Sequence, residues 1–151
     1  MAQLAALIIQ SDNIFSSLVY ADSVTSIYNY LCIKPGNYWR EHYYFGKTTQ
    51  KHSAGLGEAG MEGIIINAVV PLMAAYGIHS DDHSWIERAI QLLEQIKSEK
   101  NSIVQRVATS GIWVEKACDS QAAIELYKNY CTKRKCLHCK IGAYILKPDY
   151  T

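Results

Sequence analysis

The chain has 151 residues, 49% of them hydrophobic, and a formal net charge of +1. A chain of this length buries about 70% of the surface of its unfolded form, so it needs neither metal nor disulfide to fold. The composition excludes disorder, and the small net charge excludes an overall field that would gather a polyanion.

The opening "MAQLAALIIQ" puts Leu4, Leu7 and Ile8 on one helical face. It has no basic n-region and no small-residue cleavage site follows, so a signal peptide is not expected. "SDN" offers a cap before Ile14, Phe15, Leu18 and Val19. Asp22 or Ser23 caps a further helix carrying Val24, Ile27, Tyr28 and Leu31, which "KPG" at 34–36 stops.

The next stretch, "YWREHYYFGK", is aromatic, with room for a short strand pair within 38–60. "GKTTQKHSAGLGEAG" is polar and glycine-rich, and the segment from Lys47 to Gly57 reads as a surface loop. "MEGIIINAVVPLMAAYG" reads as the central, most buried helix, apolar around its axis and kinked by Pro71. Ile64, Ile65, Ala68, Val69 and Leu72 are its expected core residues. No apolar run reaches the about 20 residues needed to cross a bilayer, so no membrane partner is expected.

Ser84 and Glu87 match S-x-x-E, a capping box, ahead of Ile86, Ala89, Ile90, Leu93 and Ile96 at helical spacing. Asn101 caps a helix with Ile103, Val104 and Val107, and Gly111 supplies a left-handed stop. Asp119 or Ser120 opens the next helix, with Ala123, Leu126, Tyr127 and Tyr130 inward. The last segment, Cys136 to Leu146, again reads as helix. No fixed-period repeat is present. The expected architecture is one all-α domain spanning 1–151.

Three weak motifs carry bland readings. "GLGEAG" matches the dinucleotide fingerprint G-x-G-x-x-G, but no buried strand precedes it and no βαβ unit follows. "HSDDH", with His79 and His83, has residue types that chelate metals but reads as a solvated turn capped by Asp82 or Ser84. Glu41 and His42 form a possible acid–base pair without a nucleophile or an orienting partner.

The stronger feature is "CTKRKCLHCKIG", with Cys131, Cys136 and Cys139 spaced C-x4-C-x2-C. Three thiolates at this spacing suit three corners of a tetrahedral zinc or iron–sulfur site. Cys118 is the candidate fourth ligand, and Cys32 an alternative. The spacing loosely resembles the cysteine loop of base-excision glycosylases, whose fourth cysteine lies shortly downstream; none follows Cys139 here. A redox pair at Cys136 and Cys139 lacks the thioredoxin-like βαβ context. The bland alternative is thiol packing between helices, and the metal-free state is slightly favoured for want of a fourth ligand. Either way, Cys131, Cys136 and Cys139 are expected close together, on the turn joining the last two helices. Five cysteines, an odd number, point to a reducing cytoplasm.

Charge is unevenly placed. Lys128, Lys133, Arg134, Lys135, Lys140 and Lys147 fall between Leu126 and Pro148 with no acid among them. This basic 126–148 segment can meet nucleic-acid phosphate, an acidic partner, or the acidic middle of the chain itself.

Several stretches together carry a resemblance: "AQLAALI", "YW" with "HYYF", "LGEAGMEGIIINAVVPLMAAYG", "AIQLLEQIKSEKNSI" and "SQAAIELYKNYCTKRKCLHCKIG". They resemble the C-terminal part of the bacterial family catalogued as domain of unknown function 2851. Its members are generally longer. The resemblance therefore implies a C-terminal domain whose partner is a missing N-terminal domain or another protein, with any active site in that missing region. It implies no activity or cofactor. The leading expectation is a non-enzymatic helical accessory or interaction domain with a structural cysteine cluster. The alternatives are a nucleic-acid-associated domain with a zinc or iron–sulfur site, and an enzyme domain using Glu41 and His42.

Overall fold

The computed structural model describes residues 2–34, 36–50 and 55–146. It is an all-α structure with one antiparallel strand pair, as the sequence predicts. The described residues fall into two compact units, one ending at Leu92 and the other starting at Leu93.

The first unit opens with α1 (Ala2–Gln10), α2 (Ile14–Val19) and α3 (Val24–Leu31). The cap of α3 is Ser23, whose hydroxyl accepts from the Ser26 amide at 3.2 Å; this satisfies one orphan donor of the first turn. Leu7, Leu18, Val19, Val24, Ile27 and Leu31 are buried as the periodicity predicts, but Ile8 and Phe15 are exposed. The side chain of Leu4 lies outside those described.

After a 3₁₀ turn (Asn37–Arg40), β1 (His42–Tyr44) pairs with β2 (Lys47–Thr48). Gly46 turns the hairpin at φ +73, a left-handed conformation that glycine adopts without steric cost. The expected surface loop from Lys47 to Gly57 is therefore a strand at its start, and residues 51–54 of it lie outside the described residues.

Helix α4 (Glu58–Ile64) continues through a π-helical turn (Ile65–Val69) into α5 (Val70–Ser80). Pro71 lacks the N–H that an α-helix requires, and its ring crowds the carbonyl four residues back. The helix widens just upstream: Val70 N–H donates to the Ile65 carbonyl, and the Asn67 side-chain amide donates to the Gly63 carbonyl at 2.9 Å. A π turn thus stands where a kink was predicted.

The expected core set on this helix is half right. Ile65 and Val69 are buried together with Ile66, Met73 and Gly77, whereas Ile64 is half-buried and Ala68 and Leu72 are exposed. The helix buries one stripe at i, i+4 spacing rather than its whole circumference, because its long apolar run hides the phase of that stripe. The continuous run Glu58–Ser80 has 23 residues and, by length and composition, suffices to cross a membrane. That differs from the expectation that no apolar run is long enough.

Asp81 ends α5 in the left-handed region at φ 53; Asp82 N–H reaches the Gly77 carbonyl at 3.0 Å and Asp81 N–H the Ile78 carbonyl at 3.4 Å. This is a Schellman stop. Helix α6 (Ser84–Gln95) starts at once. Its capping box does not form: the Ser84 amide and hydroxyl both donate to Asp82 Oδ1, at 3.0 and 2.6 Å. Those two donors hold the Asp82 carboxyl below its usual pKa. Ala89, Leu92, Leu93 and Ile96 are buried, while Ile90 faces out.

In the second unit, α7 (Ser102–Thr109) is capped by Asn101, whose Oδ1 accepts from the Val104 amide at 2.9 Å, and Gly111 follows its end at φ +90. Both features match the prediction. Helix α8 (Ala117–Leu126) starts earlier than read. Asp119 works from inside its first turn, accepting from the Lys116 and Glu115 amides at 2.9 and 3.0 Å, which lowers its pKa. A bridge between Lys97 and Lys116, with Ser98 N–H on the Glu115 carbonyl and Ala117 N–H on the Ile96 carbonyl, joins two extended segments with no sequence signature. Ser120 is fully buried and satisfied, donating to the Ala117 carbonyl and accepting from the Glu99 amide.

Candidate functional site

The cysteine segment is built by a second irregular helix end. Helix α8 passes into a π-helical turn (Tyr127–Cys131), closed by Thr132 N–H on the Tyr127 carbonyl at 2.9 Å. Arg134 then takes φ +51, with Lys135 N–H on the Tyr130 carbonyl at 2.9 Å and Arg134 N–H on the Cys131 carbonyl at 3.1 Å. This is another Schellman stop, with arginine in the position glycine usually fills. The chain reverses into a 3₁₀ turn (Cys136–His138), breaks at Cys139 in extended conformation, and enters α9 (Lys140–Ile145). The expected helix from Cys136 to Leu146 is therefore two short pieces, with Cys139 at the break between them. Gly142 lies against the Cys136 backbone, so closely that a Cβ there would overlap the Cys136 carbonyl oxygen.

This reversal sorts its side chains. Cys131, Cys136 and Cys139 line one cavity of about 330 Å³, walled also by Leu126, Ile141 and Ile145. Lys133, Lys135 and His138, from the same turn, line a second cavity of about 530 Å³ with Glu125 and Asn129. Tyr130 borders both. In the polar cavity the Asn129 amide donates to Glu125 Oε1 and Lys133 Nζ donates to Asn129 Oδ1, each at 2.7 Å. The turn thus presents thiols to an apolar space and cations to a polar one.

Cys131, Cys136 and Cys139 border the same groove. Among the described residues, however, no group of three or more His, Cys, Asp or Glu side chains is arranged to hold a metal ion. Cys118 does not line the cavity. Its thiol lies 3.8 Å from Asp119 Oδ1, and burial, then the Asp119 and Glu94 charges, push its pKa up. Such a site suppresses the thiolate that a metal needs. Cys32 belongs to the first unit, and all five cysteines are free.

The other candidates read as follows. His42 stacks on Tyr38 at 3.9 Å, with Nδ1 2.8 Å from the Tyr38 carbonyl oxygen, while the Glu41 carbonyl accepts from the Thr49 amide. The pair serves the hairpin: Tyr38 Oη also accepts from the Gly46 amide at 2.9 Å, and Trp39 meets Phe45 edge-on at 5.0 Å. "HSDDH" is the turn between α5 and α6, with both histidines exposed. "GLGEAG" enters a helix at Gly57, but only the short hairpin precedes it.

Two features escaped the sequence reading. Arg88 Nη2 donates to the Tyr20 and Ala21 carbonyls, at 2.9 and 2.6 Å, and to Asp22 Oδ1 at 3.1 Å, and its guanidinium lies over Trp85. It closes the C-terminal end of α2 from 66 to 68 residues away. Tyr30 Oη is buried with no hydrogen-bond partner among the described residues. Neither leaves a local signal, since both depend on residues distant in the chain.

The fold of the described residues is that of a helical protein with one strand pair. The family model described as a protein of unknown function (DUF2851) matches residues 1–102 of the 151, and the chain belongs to that family. The match stops short of the cysteine turn. No curated protein and no solved structure matches the chain.

Proposed function

We propose that the chain is a non-enzymatic helical interaction domain, with the cysteine turn as a structural element and the aromatic hairpin as the surface that meets a polypeptide partner. One observation carries the reading: Tyr43, Tyr44 and Phe45 are 62%, 73% and 83% exposed on a hairpin braced from behind by Tyr38, Trp39 and His42. Consecutive exposed aromatics on a braced support mark interaction surfaces, and such side chains supply much of the energy of interfaces. The partner is the remainder of a longer protein or a separate polypeptide. Five free thiols agree with a reducing compartment.

The test is site-specific photo-crosslinking of the natural protein in its own cells, with benzoylphenylalanine replacing Tyr44. A single crosslinked polypeptide is expected, lost on Phe45→Ser with the unfolding midpoint unchanged. No crosslink, or one indifferent to Phe45→Ser, rejects the reading.

One observation favours the second reading, association with nucleic acid through the 126–148 segment: Lys133, Lys135 and His138 gather on one cavity. Lys147 lies outside the described residues, and Glu125 in the same cavity opposes a polyanion. The arrangement of thiols gives zinc or iron–sulfur binding no support.

A further inference from the structure

We infer that the second unit binds a single-chain anionic amphiphile, its apolar chain in the thiol-lined cavity and its anionic head at Lys133, Lys135 and His138. The inference stands apart from the hairpin reading, which concerns the first unit.

The argument starts from the division of side chains along one turn. Within the nine residues Cys131 to Cys139, the thiols line the apolar cavity while Lys133, Lys135 and His138 line the polar one. The apolar space is a groove open to solvent, with Cys131, Cys136, Ile141 and Ile145 exposed, and its volume of about 330 Å³ lies within the range of about 300–1,000 Å³ of clefts that hold small organic ligands. Its aliphatic walls and thiols offer an alkyl chain polarizable contact without strong hydrogen-bond donors or acceptors. Tyr130 borders both cavities, so the two spaces share one wall. Lys133 is held toward the site through Asn129, and Asn129 also engages the acid there, Glu125. Lys133 and Lys135 against one hydrogen-bonded carboxylate, Glu125, leave the head region complementary to an anion. The backbone geometry that creates both spaces is unusual: a π turn, a left-handed arginine and a glycine in backbone contact with Cys136. π turns and non-glycine left-handed residues concentrate at functional sites.

The experiment uses the full chain, decanoate as probe and decanol as its uncharged counterpart, both below micelle formation. Binding is read by calorimetry, and its place by the alkylation rates of the five cysteines with iodoacetamide. Decanoate is expected to bind once per chain and to slow alkylation of Cys131, Cys136 and Cys139 while leaving Cys32 unchanged. Decanol should protect the same thiols. The double variant Lys133→Gln, Lys135→Gln should weaken decanoate by about tenfold, the order expected for losing charge-assisted contacts, and leave decanol binding unchanged. No protection, equal protection of Cys32, or a decanoate affinity indifferent to the double variant would each overturn the proposal. So would protection by vesicles containing anionic phospholipid in the absence of any protection by free decanoate, since that result assigns the cations to a membrane surface.

Discussion

Tyr28, on α3, shows how one side chain reports its surroundings. Burial, then the charges of Glu62 and Glu58, then a hydrogen bond to Glu62 push its phenol from 10.0 up to about 12. Each cause favours the neutral phenol in the folded state. Tyr28 therefore contributes stability that is fully present below pH 10 and is lost as pH rises through about 12. Titration at 295 nm should show a tyrosine ionising late in the native protein, and Tyr28→Phe should remove it and flatten the decline in stability over that window. An unchanged late phase in the variant would show that α3 and α4 do not meet at this residue. The sequence marked Tyr28 as inward-facing on α3, which the half-buried ring bears out, but Glu62 as its partner was illegible. The same limit applies to Arg88, whose three acceptors lie outside its own helix. Long-range polar pairing leaves no periodicity to read.

At the level of elements, caps and stops were legible wherever one residue decides them. Ser23, Asn101 and Gly111 act as their types require. Two failures are cap assignments, where the acceptor is a different residue, or sits in a different place, from the one the spacing suggests. Asp82 takes the Ser84 N–H that the capping box assigns to Glu87 and turns the Ser84 hydroxyl into a donor, and Asp119 acts from within the helix it was read as opening. Both π turns were likewise hidden, because Pro71 announces a disturbance without its form and "YKNYC" announces nothing. Of the candidate site, the C-x4-C-x2-C spacing places Cys131, Cys136 and Cys139 on one turn; the apolar groove they border was not readable, since Leu126, Ile141 and Ile145 come from two helices. Two glycines test this geometry in opposite directions. Gly142→Ala drives a methyl into the Cys136 backbone, and such overpacking costs about 1–3 kcal/mol. Gly63→Ala meets nothing within 4 Å and sits inside α4, where alanine is favoured by about 0.5–1 kcal/mol. Chemical denaturation should lower the midpoint for the first and raise it for the second. Equal effects would show that α9 is not packed on the cysteine turn.

At the scale of the whole molecule, the decisive element is the run Glu58–Ser80, which could serve as a core helix or as a membrane span. Length and composition satisfy both roles. Burial separates them: Ile65, Val69 and Met73 are at most 1% exposed, and fully burying side chains of this kind yields about 1.5–3 kcal/mol each. A span would give up those contacts, and it would place Glu62 near or within the bilayer when its present partner is the Tyr28 phenol. An ionisable side chain at the bilayer centre is costly. The exposed face, with Leu72 at 39% and Ile78 at 71%, is apolar but discontinuous, since Asn67, His79 and Ser80 interrupt it. Only 28% of the apolar window is buried, so the case for the core role rests on the stripe through Ile65, Val69 and Met73. The chain is expected in the supernatant after high-speed centrifugation of a cell lysate, and Ile65→Ala should destabilise it by about 2–5 kcal/mol while Leu72→Ala changes little. Recovery in carbonate-resistant membranes, together with an Ile65→Ala variant as stable as the parent, would assign the helix to the bilayer.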